Sequence, residues 1–141
     1  MGKMSKEYRG KFLSKTRYGY LTTLTSDGSP RTVPVWFDWD GHMVRIFTSK
    51  DSPKVKRMRQ DPRVTLLVSN ELSEKEAWVA FDGTVEIRPD DAMGIFLDKL
   101  ASKYWDLSNP KQKATLDSWK ANLAQFYMIE LVPTQIRSYF D

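Results

Sequence analysis

The sequence predicts a mainly β protein, a small antiparallel barrel with peripheral helices, on three observations. Short runs of alternating apolar and polar residues recur between dense turn signals, among them Ser26-Asp27-Gly28-Ser29-Pro30 and Asp40-Gly41. Most links between these runs are short, which favours antiparallel pairing. One long run, residues 76–88, is interrupted by Asp82-Gly83, a bulge or sharp bend of the kind that curls a sheet.

Each element has its own justification. Residues 5–16 read as a short amphipathic helix, with Tyr8 and Phe12 at helical spacing. Residues 18–25 change period and are rich in Tyr, Leu and Thr, which suit a pleated, half-buried surface. Residues 31–39 form the next strand, with Val33, Val35 and Phe37 on one face and Thr32, Pro34 and Trp36 on the other. Pro34 donates no ladder hydrogen bond, so this strand lies at an edge or is locally irregular. Asp40-Gly41 makes a tight hairpin with the return strand 43–49. A helix over 52–61 follows, with Ser52 at the cap and Pro53 at the first helical position, and Asp61-Pro62 stops it. Residues 63–69 are a strand, 70–75 a polar loop and 76–88 the long bent strand.

Pro89-Asp90-Asp91 opens a helix whose Met93, Phe96, Leu97 and Leu100 form an apolar stripe. A loop over 105–110 leads to a helix over 111–123, and strands 126–132 and 135–140 flank Pro133. The whole makes six or seven strands and about four helices.

The 141 residues fit one domain, 1–141, and 40% hydrophobic residues supply a real core. The net charge of +4 suits an anionic ligand but is too weak to argue for nucleic acid. With no cysteine there is no disulfide, thiolate metal site or cysteine nucleophile, and one histidine makes no metal site or Ser-His-Asp arrangement. The polar N-terminus has no signal-peptide core, and no apolar run approaches the ~20 residues of a spanning helix. A soluble cytoplasmic setting without membrane or nucleic-acid partners is expected.

The chemistry concentrates where the second hairpin strand meets the following helix. Thr48 and Ser52 offer hydroxyls, the helix N-terminus offers unpartnered N–H groups and partial positive charge, and Lys54 adds a full charge. Arg31, one strand away, can reach the same anion as a fork of donors. Trp36 and Phe47 are flat side chains near that edge, and Val35 and Trp36 offer backbone groups beside Pro34. A phosphate with a heteroaromatic ring attached needs this combination. Each feature alone also has a plain reading: a capped surface helix with solvated lysines, and aromatic residues in a barrel core or dimer contact. The basic face of Lys54, Lys56, Arg57 and Arg59 reads as solvated, and His42 as a solvated turn residue.

Pro30-Arg31-Thr32-Val33-Pro34-Val35-Trp36-Phe37, then Asp40-Gly41, Phe47-Thr48, Ser52-x-Lys54 and Asp61-Pro62-Arg63-Val64, resembles the pyridoxamine 5'-phosphate oxidase-like flavin-binding split-barrel family. The resemblance implies a split β-barrel of antiparallel Greek-key type, a homodimer, and two FMN sites at the subunit interface. It puts Arg31, Ser52 and Lys54 around the flavin phosphate, Val33, Val35 and Trp36 along the ring or its side chain, and Phe47 and Thr48 at the strand end beneath. Two departures stand out. Trp78 occupies the position of a flavin-contacting glutamine five residues before the bend glycine, and the chain ends Gln135-Ile136-Arg137-Ser138 without the family's vitamin-phosphate pattern. Oxidation of the vitamin phosphate itself is therefore not expected. The Pro-Val-Trp-Phe run resembles a branch of small proteins that use FMN or a deazaflavin.

The expected function is hydride transfer between FMN and an unidentified small molecule, with no protein side chain named as catalytic acid or base. Trp78, Tyr104, Trp105, Trp119 and Phe126 are candidates for the substrate slot. The alternatives are a deazaflavin-dependent reductase, a non-catalytic flavin- or haem-binding module, and a small basic barrel that binds nucleic acid.

Overall fold

The computed structural model describes residues 2–141. Its strands are β1 (Gly19–Leu24), β2 (Pro30–Val35), β3 (Asp38–Trp39), β4 (Val44–Ser49), β5 (Arg63–Ser69), β6 (Ala77–Arg88) and β7 (Phe126–Phe140). Its helices are α1 (Lys6–Ser14), α2 (Pro53–Gln60), α3 (Met93–Tyr104) and α4 (Pro110–Ala121). All seven strands join one curled antiparallel sheet in the order β2-β1-β5-β6-β7-β4-β3. The last strand returns to lie between β6 and β4, a Greek-key connection. No helix among the described residues is long and apolar enough to cross a membrane.

The expected continuous strand over residues 31–39 is corrected. Pairing stops at Val35 and resumes at Asp38, and in the step between them the chain passes from one edge of the sheet to the other. Arg31 is therefore not one strand from β4: β2 pairs with β1, and the partners of β4 are β3 and β7. The reason is local. Pro34 has no N–H, which suits a strand paired on one side only. Two residues on, Phe37 turns wholly into the core at 0% exposure, and its N–H is taken by the Tyr104 hydroxyl at 3.2 Å instead of a neighbouring strand. This covalent step ties the two edges together and makes the sheet a split barrel.

One further difference concerns a proline, and it meets the expected bend at Asp82-Gly83. The chain's last two expected strands are one strand that runs through Pro133. Pro133 lies opposite Gly83, where the β6–β7 register shifts between Asp82 and Gly83, so the ladder is already broken where proline cannot donate. Gly83 itself is required by contact: a Cβ there would lie 2.5 Å from the Val132 carbonyl oxygen.

Inside the sheet, Leu21, Phe37, Ile46, Leu66, Phe81 and Ile129 form the barrel core, closed at one end by Phe12 and Leu13 of α1. A second cluster lies between α3, α4 and the outer side of β4 and β7, built on Phe96, Leu97, Leu100, Leu116 and Phe126.

The two glycines Gly83 and Gly10 give opposite expectations. Gly83→Ala should lower the unfolding free energy by about 1–3 kcal/mol through overpacking. Gly10→Ala, in α1 with nothing within 4 Å of its added Cβ, should raise it by roughly 0.5–1 kcal/mol. Urea unfolding of both variants checks the signs.

Candidate functional site

Edge strand β2 and the start of α2 face each other across a cleft of about 410 Å³, lined by Arg31, Thr32, Val33, Pro34, Ser52, Pro53, Lys54 and Arg57. They meet because α2 packs on β1 through Val55 and Met58, both buried, which brings its first turn beside the next strand out. Pro53 sits at the first helical position, where its missing N–H costs nothing. Ser52 occupies the cap position, but its hydroxyl caps no N–H; it accepts from Lys54 Nζ at 3.1 Å. No side chain covers the α2 N-terminus, and its partial positive charge opens on the cleft.

Lys54 and Arg57 are three residues apart, so they share one face of α2. Arg57 is fixed there by donating Nε–H to Thr23 Oγ1 at 2.7 Å, and Thr23 is buried on β1. Arg31 reaches in from β2, where its Nη1 donates to the Pro30 carbonyl at 3.3 Å. Elsewhere most arginines are paired: Arg17, Arg45, Arg63, Arg88 and Arg137 each meet an acid, though among the described residues Arg9 and Arg59 do not. Among the described residues no carboxylate pairs with Arg31, Lys54 or Arg57. Burial, and secondly the charge of Arg57, hold the Lys54 ammonium below the usual lysine range. The negative charge of an anion in the cleft would oppose both effects.

The structure brings together four of the eight residues singled out in the sequence. Arg31, Val33, Ser52 and Lys54 line the cleft. Val35 packs against the barrel core, and Thr48 is buried on the inward row of β4 with Val44 and Ile46. Trp36 and Phe47 lie in the α3–α4 cluster. Trp36 stacks on Tyr104 with centroids 5.1 Å apart and meets Trp105 edge-on at 4.8 Å, while Phe47 meets Phe126 edge-on at 5.4 Å. Trp119 and Phe126 belong to the same cluster, so four of the five aromatic slot candidates are packed together there. Trp78 alone stands apart, on the outer face of β6. Tyr104 does more than pack: its hydroxyl donates to the Arg17 carbonyl at 2.6 Å and accepts from Phe37 N–H, pinning the step between the sheet edges. Burial raises its pKa to about 12, so the hydroxyl stays a donor.

Sequence reasoning missed Arg57, reading it as part of a solvated face. The spacing from Lys54 carried the signal; the buried anchor Thr23, thirty-four residues away, did not.

Residues 4–137 match the family model described as pyridoxamine 5'-phosphate oxidase, and the chain belongs to that family. Solved structures agree in fold. An F420 reductase superposes with a TM-score of 0.72 at 28% identity, over 89% of this chain and 93% of that one. A FAD-binding protein from Mesorhizobium loti gives 0.67 at 25% identity, over 97% and 93%. A haem-storage protein from Vibrio cholerae gives 0.70 at 14% identity, over 93% and 92%, and shares the fold alone. A comparison with curated proteins finds no match.

The cleft predicts a simple anion linkage. Millimolar sulfate should raise the melting temperature, and Lys54→Met should shrink that rise. Sulfate stays dianionic across the range, so the pH dependence reports the protein. Because the Lys54 pKa is lowered, its charge fades below the usual value of about 10.4, and the sulfate effect should be lost at a correspondingly lower pH. Differential scanning fluorimetry between neutral and alkaline pH measures both.

Proposed function

We propose that the chain is a flavin-dependent oxidoreductase that holds FMN in the β2–α2 cleft and serves hydride transfer to or from a small molecule. The observation that carries this reading is the set of three cations, Arg31, Lys54 and Arg57, around one cleft, none of them in an ion pair with a carboxylate among the described residues. A phosphate monoester dianion matches that charge, and the first turn of α2 adds N–H donors. The cleft continues along Val33 and Pro34 on an edge strand with no neighbour on its outer side, where free backbone groups can meet the polar rim of a flat ring.

When bound, the flavin supplies the hydride chemistry. The chain's part is positional. Arg31, Lys54 and Arg57 fix the phosphate end, Thr23 holds Arg57 in place, and Val33 gives the ring an apolar side. Tyr104 fixes the end of β2 through Phe37 and so would keep the open edge in place for a bound ring. The family resemblance also implies two copies sharing the site; the exposed Tyr20 and Leu67, paired across β1 and β5 on the outer sheet face, support that arrangement. A chain without cysteine suits the reducing cytoplasm, where we place it. A second reading, a deazaflavin in the same cleft, is favoured by the 28% identity to an F420 reductase.

Titration with FMN and, separately, with the deazaflavin F420 decides between them by affinity. Lys54→Ala should weaken the bound cofactor by about 1–3 kcal/mol, roughly five- to 150-fold, with the circular dichroism spectrum unchanged. A protein that binds neither cofactor, or a variant that binds as tightly as its parent, would overturn the reading. Sustained turnover with a reduced nicotinamide separates an enzyme from a carrier.

A further inference from the structure

The outer face of the sheet carries a second hollow, of about 350 Å³, lined by Thr22, Thr65, Leu67, Ser69, Trp78, Ala80 and Arg137. Its composition is unlike an ordinary solvated sheet face. Trp78 presents a half-buried indole, and the Arg137 guanidinium lies 6.0 Å from that ring. Arg137 is locked in place: Nε and Nη2 donate to the two Asp82 carboxylate oxygens at 2.6 and 2.9 Å. Asp82 is in turn held by Thr65 Oγ1 at 2.7 Å. Nη1 of Arg137 makes no hydrogen bond among the described residues. A planar donor of fixed orientation therefore stands beside an aromatic plate, with hydroxyls of Thr22, Thr65 and Ser69 around it. The volume falls in the range of small-molecule pockets, which pair apolar walls with a few placed polar groups.

The hollow also connects with the cofactor cleft. Thr32, Thr22, Thr65 and Asp82 stand opposite one another on β2, β1, β5 and β6, one row across the sheet. Thr32 lines the cleft, Thr22 lines the hollow, and their hydroxyls bond at 2.8 Å. Strands about 4.8 Å apart put β6 about 14 Å from β2, so a flat ring projecting from the cleft over this face would approach the hollow.

We propose that the Trp78–Arg137 hollow binds a small planar aromatic carboxylate, its ring on the indole and its carboxylate on the free guanidinium nitrogen. That it forms the substrate end of the cofactor cleft rests on the flavin reading above. The indole gives stacking area that every aromatic ring can use, and the guanidinium selects the anion. A second copy seated on this face would roof the ligand.

Isothermal titration with 2-naphthoate and with the uncharged 2-naphthalenemethanol tests it on the full chain. Saturable binding of naphthoate, at least tenfold tighter than the alcohol, is expected. Arg137→Met should abolish the preference for the anion, and Trp78→Leu should weaken both ligands at least tenfold. Circular dichroism of each variant checks that the fold is kept. Absence of saturable naphthoate binding to the parent protein overturns the proposal, as does unchanged binding by both folded variants. FMN titration of the parent protein separates the two readings: a parent that binds FMN but not naphthoate sinks only this site, and a parent that binds naphthoate but not FMN sinks only the flavin site.

Discussion

The structure depends on one strand being unable to pair on both sides. β2 carries Pro34, pairs with β1 alone and then gives way to a step that delivers β3 to the far edge of the same sheet. A sheet with free edges invites pairing with other chains. Here the covalent step joins the edges while the outer side of β2 stays open. The open edge is also the wall of the cleft. Closure of the barrel and exposure of ligand-ready backbone are thus two outcomes of the same constraint. Tyr104 enforces it from outside the barrel, by taking the Phe37 N–H that a continuous strand would have paired.

Three cations around the open edge would repel one another, and burial adds to the cost of charging Lys54. The fold does not relieve this with an acid, although it pairs most other arginines. It supplies neutral acceptors instead: the Thr23 hydroxyl for Arg57, the Ser52 hydroxyl for Lys54 and a carbonyl for Arg31. Neutral acceptors orient a cation without cancelling its field. A salt bridge in the same place would have contributed little at this partly exposed surface and would have removed the attraction for an anion. These hydroxyl and carbonyl partners contrast with a structural ion pair such as Arg17 with Glu74.

Much of the barrel was legible in the residues because the signals are local. Period-two alternation marked the strands, Asp82-Gly83 marked the bend, and Ser52-Pro53 marked the start of α2. The family model and the similar structures bear out the split barrel. What could not be read was non-local. Pro34 announced an edge, but nothing near it says that β2 and β4 stand at opposite ends of the sheet order. That misplacement carried Trp36 and Phe47 toward the cleft, whereas α3 and α4 take them into a separate cluster. The α3–α4 aromatic residues look like a slot when listed in sequence, because stacking partners and ligand walls use the same side chains. Only their mutual contacts, such as Trp36 against Tyr104, reveal packing. Arg57 was hidden for the converse reason: its role comes from a threonine on another strand.

The polar row Thr32–Thr22–Thr65–Asp82 gives the outer face a second meaning. Cross-strand threonine pairs contribute modestly to sheet stability, on the order of 0.2–1 kcal/mol, and that alone would account for Thr22 with Thr32. It does not account for a carboxylate at the end of the row that spends both oxygens on one arginine. Asp82 accepts from Thr65 and Arg137 together, and its pKa is held below the usual range chiefly by the Arg137 hydrogen bond. A group held ionised in this way orients its partner over the whole physiological pH range. For stability a mobile arginine on an exposed strand would serve as well. A fixed one, beside an indole and at the far end of a row that begins at the β2–α2 cleft, is the arrangement the proposed ligand site needs.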